Sequence, residues 1–436
     1  MDKLAWIDLR GARASDPGPR LPRTAEETVA EVRGSVRQVL DAVRREGDGA
    51  VARFTAQFDG YDGGDGWEVP PEEGEAALAA LDPPLRAALE QAADRVRWFH
   101  ERARPRDWLE ERDGALLGVR HQPLQRVGCY APGGRAPLPS TVLMTVVPAR
   151  VAGVDEVLVC TPPGQDGAVD PTILAATRLA GADRVFRIGG AQAVGALAYG
   201  TATVPACDKV VGPGNAYVAE AKAQVAGAGV CGIDTIAGVT EVAVIADGTA
   251  EPVHVAADLV AQAEHDPLAT ALLITPDADF GARVETALAE EVAATRHVER
   301  VRSALAGQGA IVLVEDLDHA VEVANAFAAE HLEVQCDDAV GVAERVRRAG
   351  AIFVGGSTPV SLGDYAAGPN HTLPTGGSAR FRGGLSTSDF LLPINWVQYS
   401  PAGLAQLAPV VDALAAAEDL PAHARAVRAR VGDGGT

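Results

Sequence analysis

Short runs of β-branched and aliphatic residues recur along the chain beyond residue 117, and longer segments of helical character separate them. This alternation predicts strands that are each followed by a helix, the pattern that builds parallel sheets with helices on their faces. The predicted strands are EVLVC (156–160), RVFRI (184–188), KVV (209–211), VAVIA (242–246), ALLIT (271–275), IVLVE (311–315) and AIFVG (351–355).

Turn-rich stretches divide these elements into groups. Residues 25–57 and 73–104 have helical patterns, and the Gly- and Asp-rich stretch between them predicts a loop. The stretch VCGIDTIAGVTE (230–241) separates the third predicted strand from the fourth, which favours two sheets over one wide sheet. Beyond residue 385 the pattern becomes helical, with a final amphipathic segment near 403–431. The sequence therefore predicts two α/β domains and a small appended unit.

Composition narrows the class of protein. A chain of 436 residues that is 47% hydrophobic can form at least two separate cores. Its 38 basic and 59 acidic residues give a formal net charge of −21, which disfavours nucleic acid or an anionic membrane surface as the partner.

The cysteines and the first residues bear on the compartment. Five scattered cysteines without a C-x-x-C pair indicate neither a disulfide framework nor a thiolate zinc site. The opening MDKLAWIDLRGARASDPGPR lacks the features of a signal peptide, and no segment runs 18 apolar residues unbroken. We therefore expect a cytoplasmic protein without a membrane span.

Two pairs of polar residues lie at predicted helix ends. In VHVAADLVAQAEHDP, Gln262 and His265 share one helix face, and Pro267 places His265 in the last turn. In FAAEHLEV, Glu330 and His331 are adjacent where a helical run stops before an apolar segment, and a carboxylate beside an imidazole provides a general base and acid. The same residues also suit a solvated helix end in the first case and a helix cap in the second.

A loop and a tail add further candidate ligands. The stretch GDYAAGPNHTLPTGGSARF (363–381) is too polar and turn-rich for a core, and its Asp364 and His371 can bind a metal or substrate or simply hold the loop. His423 lies on the C-terminal amphipathic segment, where a surface histidine is the simpler interpretation. Gln262, His265, Asp364 and His423 together would form a nitrogen and oxygen site suited to zinc or manganese.

Two glycine-containing turns are candidates for nucleotide binding. The stretch IGGAQAVGALAYG (188–200) follows a predicted strand and opens a helix, but its glycines do not match G-x-G-x-x-G. In VGPGNAYV (211–218), the glycines leave backbone N–H groups free near a helix N-terminus, where a phosphate can bind. Both stretches also suit ordinary strand-to-helix turns.

Taken together, several blocks of the sequence resemble the histidinol dehydrogenase family. They occur in order over most of the chain beyond the first hundred residues. The blocks are GCYAPGGRAPLPSTVLM (128–144), GGAQAVGALAYGT (189–201), KVVGPGNAYV (209–218), AGVTEVAVIAD (237–247), LVAQAEHDP (259–267), AAEHLEV (328–334), GDYAAGPNHTLPTGG (363–377) and LPAHARAV (420–427). One departure is AGVTE, where the family commonly has AGPSE, but Thr240 retains a hydroxyl.

The resemblance implies a role for each matching residue. Glu330 and His331 match the catalytic pair of the family. The positions that match zinc ligands are Gln262, His265, Asp364 and His423; those that match NAD contacts are Tyr130, Gln192 and Asn215. Besides the zinc ligands and His331, the positions expected at the substrate are Thr240, His371 and Glu418.

The resemblance also implies an architecture. It is an α/β fold of two Rossmann-like parallel-sheet domains with small helical N- and C-terminal extensions. The predicted division is residues 1–25 as the N-terminal extension, 26–129 and 240–385 as the first α/β domain with the metal and catalytic residues, 130–239 as the second Rossmann-like domain on the NAD side, and 386–436 as the C-terminal helical extension.

The expected activity is the oxidation of L-histidinol through L-histidinaldehyde to L-histidine, with one Zn²⁺ per subunit and NAD as cofactors. The resemblance further implies a homodimer with shared active sites, in which Glu418 and His423 serve the partner. The alternatives are a related dehydrogenase for another polar alcohol such as a sulfonated diol, a zinc hydrolase with Glu330 as base, and a catalytically silent metal-binding protein.

Overall fold

The computed structural model describes residues 4–12, 21–23, 27–64, 66–133, 137–236 and 238–431, with the backbone alone for residues 27–31. The strands in this part of the chain are β1 (Ala5–Asp8), β2 (Glu68–Val69), β3 (Trp108–Arg112), β4 (Ala115–Pro123), β5 (Arg126–Tyr130), β6 (Glu156–Thr161), β7 (Arg184–Arg187), β8 (Lys209–Val211), β9 (Gly232–Ile233), β10 (Glu241–Ala246), β11 (Thr270–Thr275), β12 (Gly309–Leu313), β13 (His331–Gln335), β14 (Ala351–Val354) and β15 (Leu391–Tyr399).

The helices alternate with the strands through most of the chain. They are α1 (Glu27–Glu46), α2 (Asp48–Asp59), α3 (Pro71–Ala80), α4 (Pro83–Ala103), α5 (Pro139–Ala152), α6 (Pro171–Ala180), α7 (Gly190–Tyr199), α8 (Ala216–Gly227), α9 (Pro252–Ala263), α10 (Ala278–Ala294), α11 (Val298–Gln308), α12 (Leu317–Phe327), α13 (Ala339–Ala343), α14 (Val360–Tyr365), α15 (Pro401–Ala417) and α16 (Pro421–Val431).

The strands form two large sheets and a small one. The first large sheet has the order β2-β7-β6-β5-β8-β9 and is parallel except for the edge strand β2. The second has the order β1-β12-β11-β10-β13-β14 and is parallel throughout. In the third, β4 pairs with β3 and β15 in antiparallel orientation. The predicted α/β class with two parallel-sheet units is confirmed.

Each large sheet has a hydrophobic core on both faces, as expected for strands that are apolar along their whole length. In the first sheet, one core involves α1, α2, α7 and α8, and the other involves α4, α5 and α6. In the second sheet, α9, α10 and α11 cover one face, and α12 and α13 lie on the other. The chain passes from one sheet to the other between Ile233 and Glu241.

The observed units differ from the predicted division at residues 26–129. These residues do not join 240–385, because β5 is a central strand of the first sheet and the preceding helices pack on that sheet. Val36, Leu40 and Val43 of α1, for example, lie in the core that contains Leu197 of α7. Helical periodicity showed that α1 has an apolar face but not which sheet that face covers.

The terminal segments also differ from the prediction. Within the predicted N-terminal extension, β1 pairs in parallel with β12, so that it forms an edge of the second sheet. Residues 1–3, 13–20 and 24–25 of that extension lie outside the described residues. The predicted helical C-terminal extension contains β15, paired with β4 along its whole length, before α15 and α16. Within the described residues, no helix has the length and apolar character needed to cross a membrane.

Candidate functional site

Glu330 and His331 lie where the chain turns from α12 into the second sheet. The helix ends at Phe327, Ala328 adopts a left-handed conformation with φ of 53°, and His331 is the first residue of β13. Both residues are buried, at 7% and 4% exposure. Nδ1 of His331 lies 3.6 Å from Oε2 of Glu330. The predicted pair therefore does form at a backbone turn.

The start of β10 holds the Glu330 carboxyl. The Thr240 hydroxyl donates a hydrogen bond of 2.5 Å to Oε2, and the backbone N–H of Glu241 donates one of 2.9 Å to the same oxygen. Burial raises the pKa of Glu330 to about 7, although these two hydrogen bonds oppose the rise. Glu330 is thus a carboxyl that titrates near neutral pH, as a general base should.

Glu241, the first residue of β10, also orients His331. The backbone carbonyl of Glu241 lies 3.3 Å from Nδ1, and because a carbonyl can only accept, Nδ1 carries the hydrogen. Burial lowers the pKa of His331, which favours the neutral imidazole. Nε2 is buried and has no hydrogen-bond partner among the described residues. His331 therefore presents an unprotonated nitrogen that can accept a proton.

Three of the predicted metal ligands lie around this pair. Oδ1 of Asp364, near the end of α14, is 3.8 Å from Nε2 of His331, and its Oδ2 is 3.7 Å from Nε2 of His265. Gln262, on α9, donates a hydrogen bond of 2.6 Å from Nε2 to the Thr240 hydroxyl. This bond leaves Oε1 of Gln262 buried without a partner within the described part of the chain. Gln262, His265 and Asp364 are thus brought together with Glu330 and His331.

The histidines differ in exposure and electrostatics. The side chain of His265 is 47% exposed and lies just beyond the end of α9 rather than within its last turn. The neighbouring Asp364 carboxylate raises the pKa of His265. Burial would raise the pKa of Asp364, but His265 and the other surrounding imidazoles outweigh it and lower that pKa. An ionised Asp364 between imidazoles is suited to binding a cation.

His371 links the site to the first sheet's unit. Its Nδ1 lies 3.1 Å from the backbone carbonyl of Asp364, and its Nε2 lies 3.3 Å from the Thr141 hydroxyl on α5. Burial lowers the pKa of His371. The loop expected to carry substrate contacts therefore spans both units, and Thr141 is a neighbour that the sequence did not indicate.

The three predicted cofactor residues lie at the carboxyl ends of strands in the first sheet, where parallel sheets usually bind ligands. Tyr130 ends β5, and its hydroxyl accepts a hydrogen bond of 3.2 Å from the N–H of Gly190. Gln192 donates one of 3.3 Å to Oδ2 of Asp59, while its Oε1 is buried without a partner among the described residues. Asn215 is the N-cap of α8. This edge of the sheet groups all three residues.

The turn before Asn215 requires glycine. Gly212 has φ of 110°, and a Cβ there would lie 2.2 Å from the backbone carbonyl of Tyr130. Its N–H donates to Asp234, which forms a buried ion pair with Lys222. The turn after β8 is thus closely packed against β5, as expected for a turn that brings backbone N–H groups near a ligand.

Glu418 and His423 lie elsewhere in the chain. Both are exposed, Glu418 at the end of α15 and His423 on α16. These two helices pack against each other, and α15 also contacts β15. Among the described residues, no group of three or more His, Cys, Asp and Glu side chains is arranged to hold a metal ion. Within one chain, the predicted ligand set is therefore not assembled.

Sequence reasoning missed several residues that shape the site. Glu241 opens the otherwise apolar strand β10, and a charged residue in that position signals a buried carboxylate that needs a partner. Arg23 supplies that partner through two hydrogen bonds, but it has no local signal because its target lies far along the chain. Asp59, which accepts from Gln192, also lacked a distinctive pattern.

The fold and the site together define a two-unit α/β protein with an acid–base pair beside candidate cation ligands. A family model described as histidinol dehydrogenase matches residues 22–431. The chain is 49% identical to the histidinol dehydrogenase of Syntrophotalea carbinolica over 95% of each chain, and 49% identical to that of Thermobifida fusca over 98% of each chain.

A solved structure shows the same relationship. The crystal structure of histidinol dehydrogenase from Elizabethkingia anophelis is 32% identical in sequence, covers 98% of both chains and superposes with a TM-score of 0.92. The chain belongs to the histidinol dehydrogenase family, and it is accordingly an oxidoreductase of the dehydrogenase type.

Proposed function

We propose that this protein catalyses the zinc-dependent, NAD-linked oxidation of L-histidinol through L-histidinaldehyde to L-histidine, the last steps of histidine biosynthesis. Family membership supports the reaction type. The observation that carries the proposal is the buried pair Glu330 and His331, because it combines a neutral imidazole with a carboxyl whose pKa is about 7. Such a pair can serve two proton transfers at neutral pH.

The residues around the pair fit one Zn²⁺ per subunit. Gln262, His265 and Asp364 offer oxygen and imidazole ligands, which zinc accepts without a thiolate. The buried, unpartnered Oε1 of Gln262 supports this assignment, since a buried acceptor normally has a partner. When bound, zinc would orient the imidazole and amino nitrogens of the substrate. We assign the fourth ligand to His423 of a second copy of the chain.

The carboxyl edge of the first sheet fits NAD. We assign Tyr130, Gln192 and Asn215 to cofactor contacts, and the buried, unpartnered Oε1 of Gln192 supports a ligand there. When bound, one NAD would accept a hydride from the alcohol and a second NAD would accept a hydride from the hydrated aldehyde, so that two NAD are reduced per histidine. His371 supports the proximity of the two sites, because it contacts Thr141 in one unit and Asp364 in the other.

The side chains carry the proton transfers. In the first oxidation, Nε2 of His331 takes the proton of the substrate hydroxyl as the hydride leaves its carbon. In the second, ionised Glu330 takes a proton from the water that attacks the aldehyde carbon, and protonated His331 gives its proton to the carbonyl oxygen. The hydrate then loses a hydroxyl proton to the neutral His331 as the second hydride leaves. We place Thr240, His371 and Glu418 at the substrate.

We further propose a cytoplasmic homodimer with shared active sites and no nucleic-acid or membrane partner. Exposed apolar side chains on β3, β15 and α15 support a protein interface, because such a set is unusual on a monomer surface. They include Trp108, Leu392, Ile394, Trp396, Val397 and Leu414. Glu418 and His423 lie on the helices next to this face, which supports their contribution to the partner's site.

NADH formation tests the reaction. The zinc-loaded protein, mixed with L-histidinol and NAD, should form two NADH per substrate consumed. His331→Asn should abolish both steps, and Glu330→Gln should lose chiefly the second. Glu322→Gln, an exposed carboxylate on α12, is the matched control and should retain activity. Absence of NADH from an intact wild-type dimer contradicts the proposal.

Complementation tests the shared site. The His331→Asn and His423→Ala variants should each be inactive alone. When they are co-expressed, mixed dimers contain one site with both native residues, so activity should return. If the site is built within one chain, no combination of the two variants can recover activity.

A further inference from the structure

Arg23 lies between the start of β10 and the end of α12 in the unit built on the second sheet. Its guanidinium donates hydrogen bonds of 2.8 Å and 3.2 Å to the two carboxylate oxygens of Glu241. It also donates one of 2.6 Å to the backbone carbonyl of Phe327 and stacks 4.0 Å from the centroid of that ring. Arg23 therefore connects the start of β10 to the end of α12, the two segments that flank Glu330.

Neighbouring residues hold the side chain of Glu241, while its backbone contacts Glu330 and His331. Besides Arg23, the N–H of Gly376 donates a hydrogen bond of 3.2 Å to its carboxylate. Its own N–H binds Glu330, and its carbonyl lies within hydrogen-bond distance of Nδ1 of His331. A displacement of this one residue would therefore move both members of the pair.

Burial works against the ion pair, so Arg23 is needed to keep Glu241 charged. The side chain of Glu241 is only 3% exposed, and burial raises its pKa to about 7 although Arg23 opposes the rise. Without Arg23, Glu241 would therefore be largely protonated at neutral pH, and the two hydrogen bonds that hold it from Arg23 would be lost.

We infer that Arg23 and Glu241 form a positioning pair for the proposed catalytic residues, in which the ion pair fixes the Glu241 backbone against Glu330 and His331. The inference rests on the proposed roles of Glu330 and His331. It makes Arg23, from a segment predicted to be a mere extension, a determinant of the chemical step.

Substitutions on both sides of the ion pair test the inference. Arg23→Gln and Glu241→Gln should each lower kcat by about tenfold or more, because each releases the Glu241 backbone, while KM for L-histidinol should change little. The double variant should lower kcat no further than either single variant, because both residues act through one interaction.

A conservative variant keeps the test decisive if Arg23→Gln does not fold. Arg23→Lys retains the charge but not the two-pronged hydrogen bonding, so it should lower kcat and leave KM little changed. Wild-type kcat in any of the three folded single variants, or separate losses that add in the double variant, overturn the inference. A wild-type protein that forms no NADH contradicts the proposed function instead.

Discussion

Thr240→Val is the most informative single change near the proposed catalytic pair, Glu330 and His331. Valine has nearly the shape of threonine, so the change removes little except the hydroxyl. That hydroxyl donates to Glu330 at 2.5 Å and accepts from Gln262 at 2.6 Å. The backbone carbonyl of residue 240, which accepts from the N–H of Thr270, is unaffected. The variant therefore tests the two side-chain hydrogen bonds by themselves.

The expected magnitude follows from the bond to the carboxylate. A hydrogen bond to a charged group contributes about 1.5–3 kcal/mol, and its loss would move the acidic limb of the kcat profile up by about 1–2 pH units. The Thr240 bond lowers the pKa of Glu330, which is about 7. Its removal should therefore leave less ionised Glu330 at pH ~7 and reduce kcat there by about 5- to 50-fold.

The assay is the pH dependence of NADH formation from L-histidinol. Activity of Thr240→Val should recover as the pH rises above the new limb, whereas Thr240→Ser, which keeps the hydroxyl, should follow the wild type. Zinc affinity should also fall in Thr240→Val, because the amide of Gln262 loses the bond that directs Oε1 into the site. A loss of kcat that is the same at every pH, or an unmoved limb, would refute this reasoning.

Three other predictions concern stability, assembly and cofactor binding. Gln335 bridges the buried carboxyls of Asp258 and Glu333, and burial raises the pKa of both. The free energy of unfolding should therefore decrease as the pH rises above 4.5 towards the raised folded-state pKa values. In urea unfolding, Asp258→Asn should flatten this pH dependence, and an equally steep dependence in the variant contradicts the prediction. Ile394→Lys on the exposed face of β15 should give a folded, inactive monomer by size-exclusion chromatography, while Val340→Lys, at an exposed apolar site on α13, should remain dimeric and active. Asn215→Asp should keep the N-cap of α8 and the melting temperature but weaken NADH binding by charge repulsion, whereas Asn215→Ala should cost about 1 kcal/mol of stability. Tight NADH binding by a folded Asn215→Asp variant in a fluorescence titration argues against a phosphate at this turn.

The sequence alone determined the features that depend on neighbouring residues. The seven predicted strands all form, because short runs of β-branched and aliphatic residues favour buried parallel strands. The adjacent Glu330 and His331 and the polar segment that carries Asp364 could be singled out because their signals are also local. Their likeness to a family, rather than their spacing, related them to one another.

The tertiary structure decided which distant segments meet. The pairing of β1 with β12 and of β15 with β4 was not predicted, because an edge strand has no local signal that identifies its partner. The contacts of Arg23 with Glu241 and of Thr141 with His371 join residues more than two hundred positions apart. Periodicity reports only which face of a segment is apolar, whereas the pKa values and hydrogen bonds of a site depend on what packs against that face.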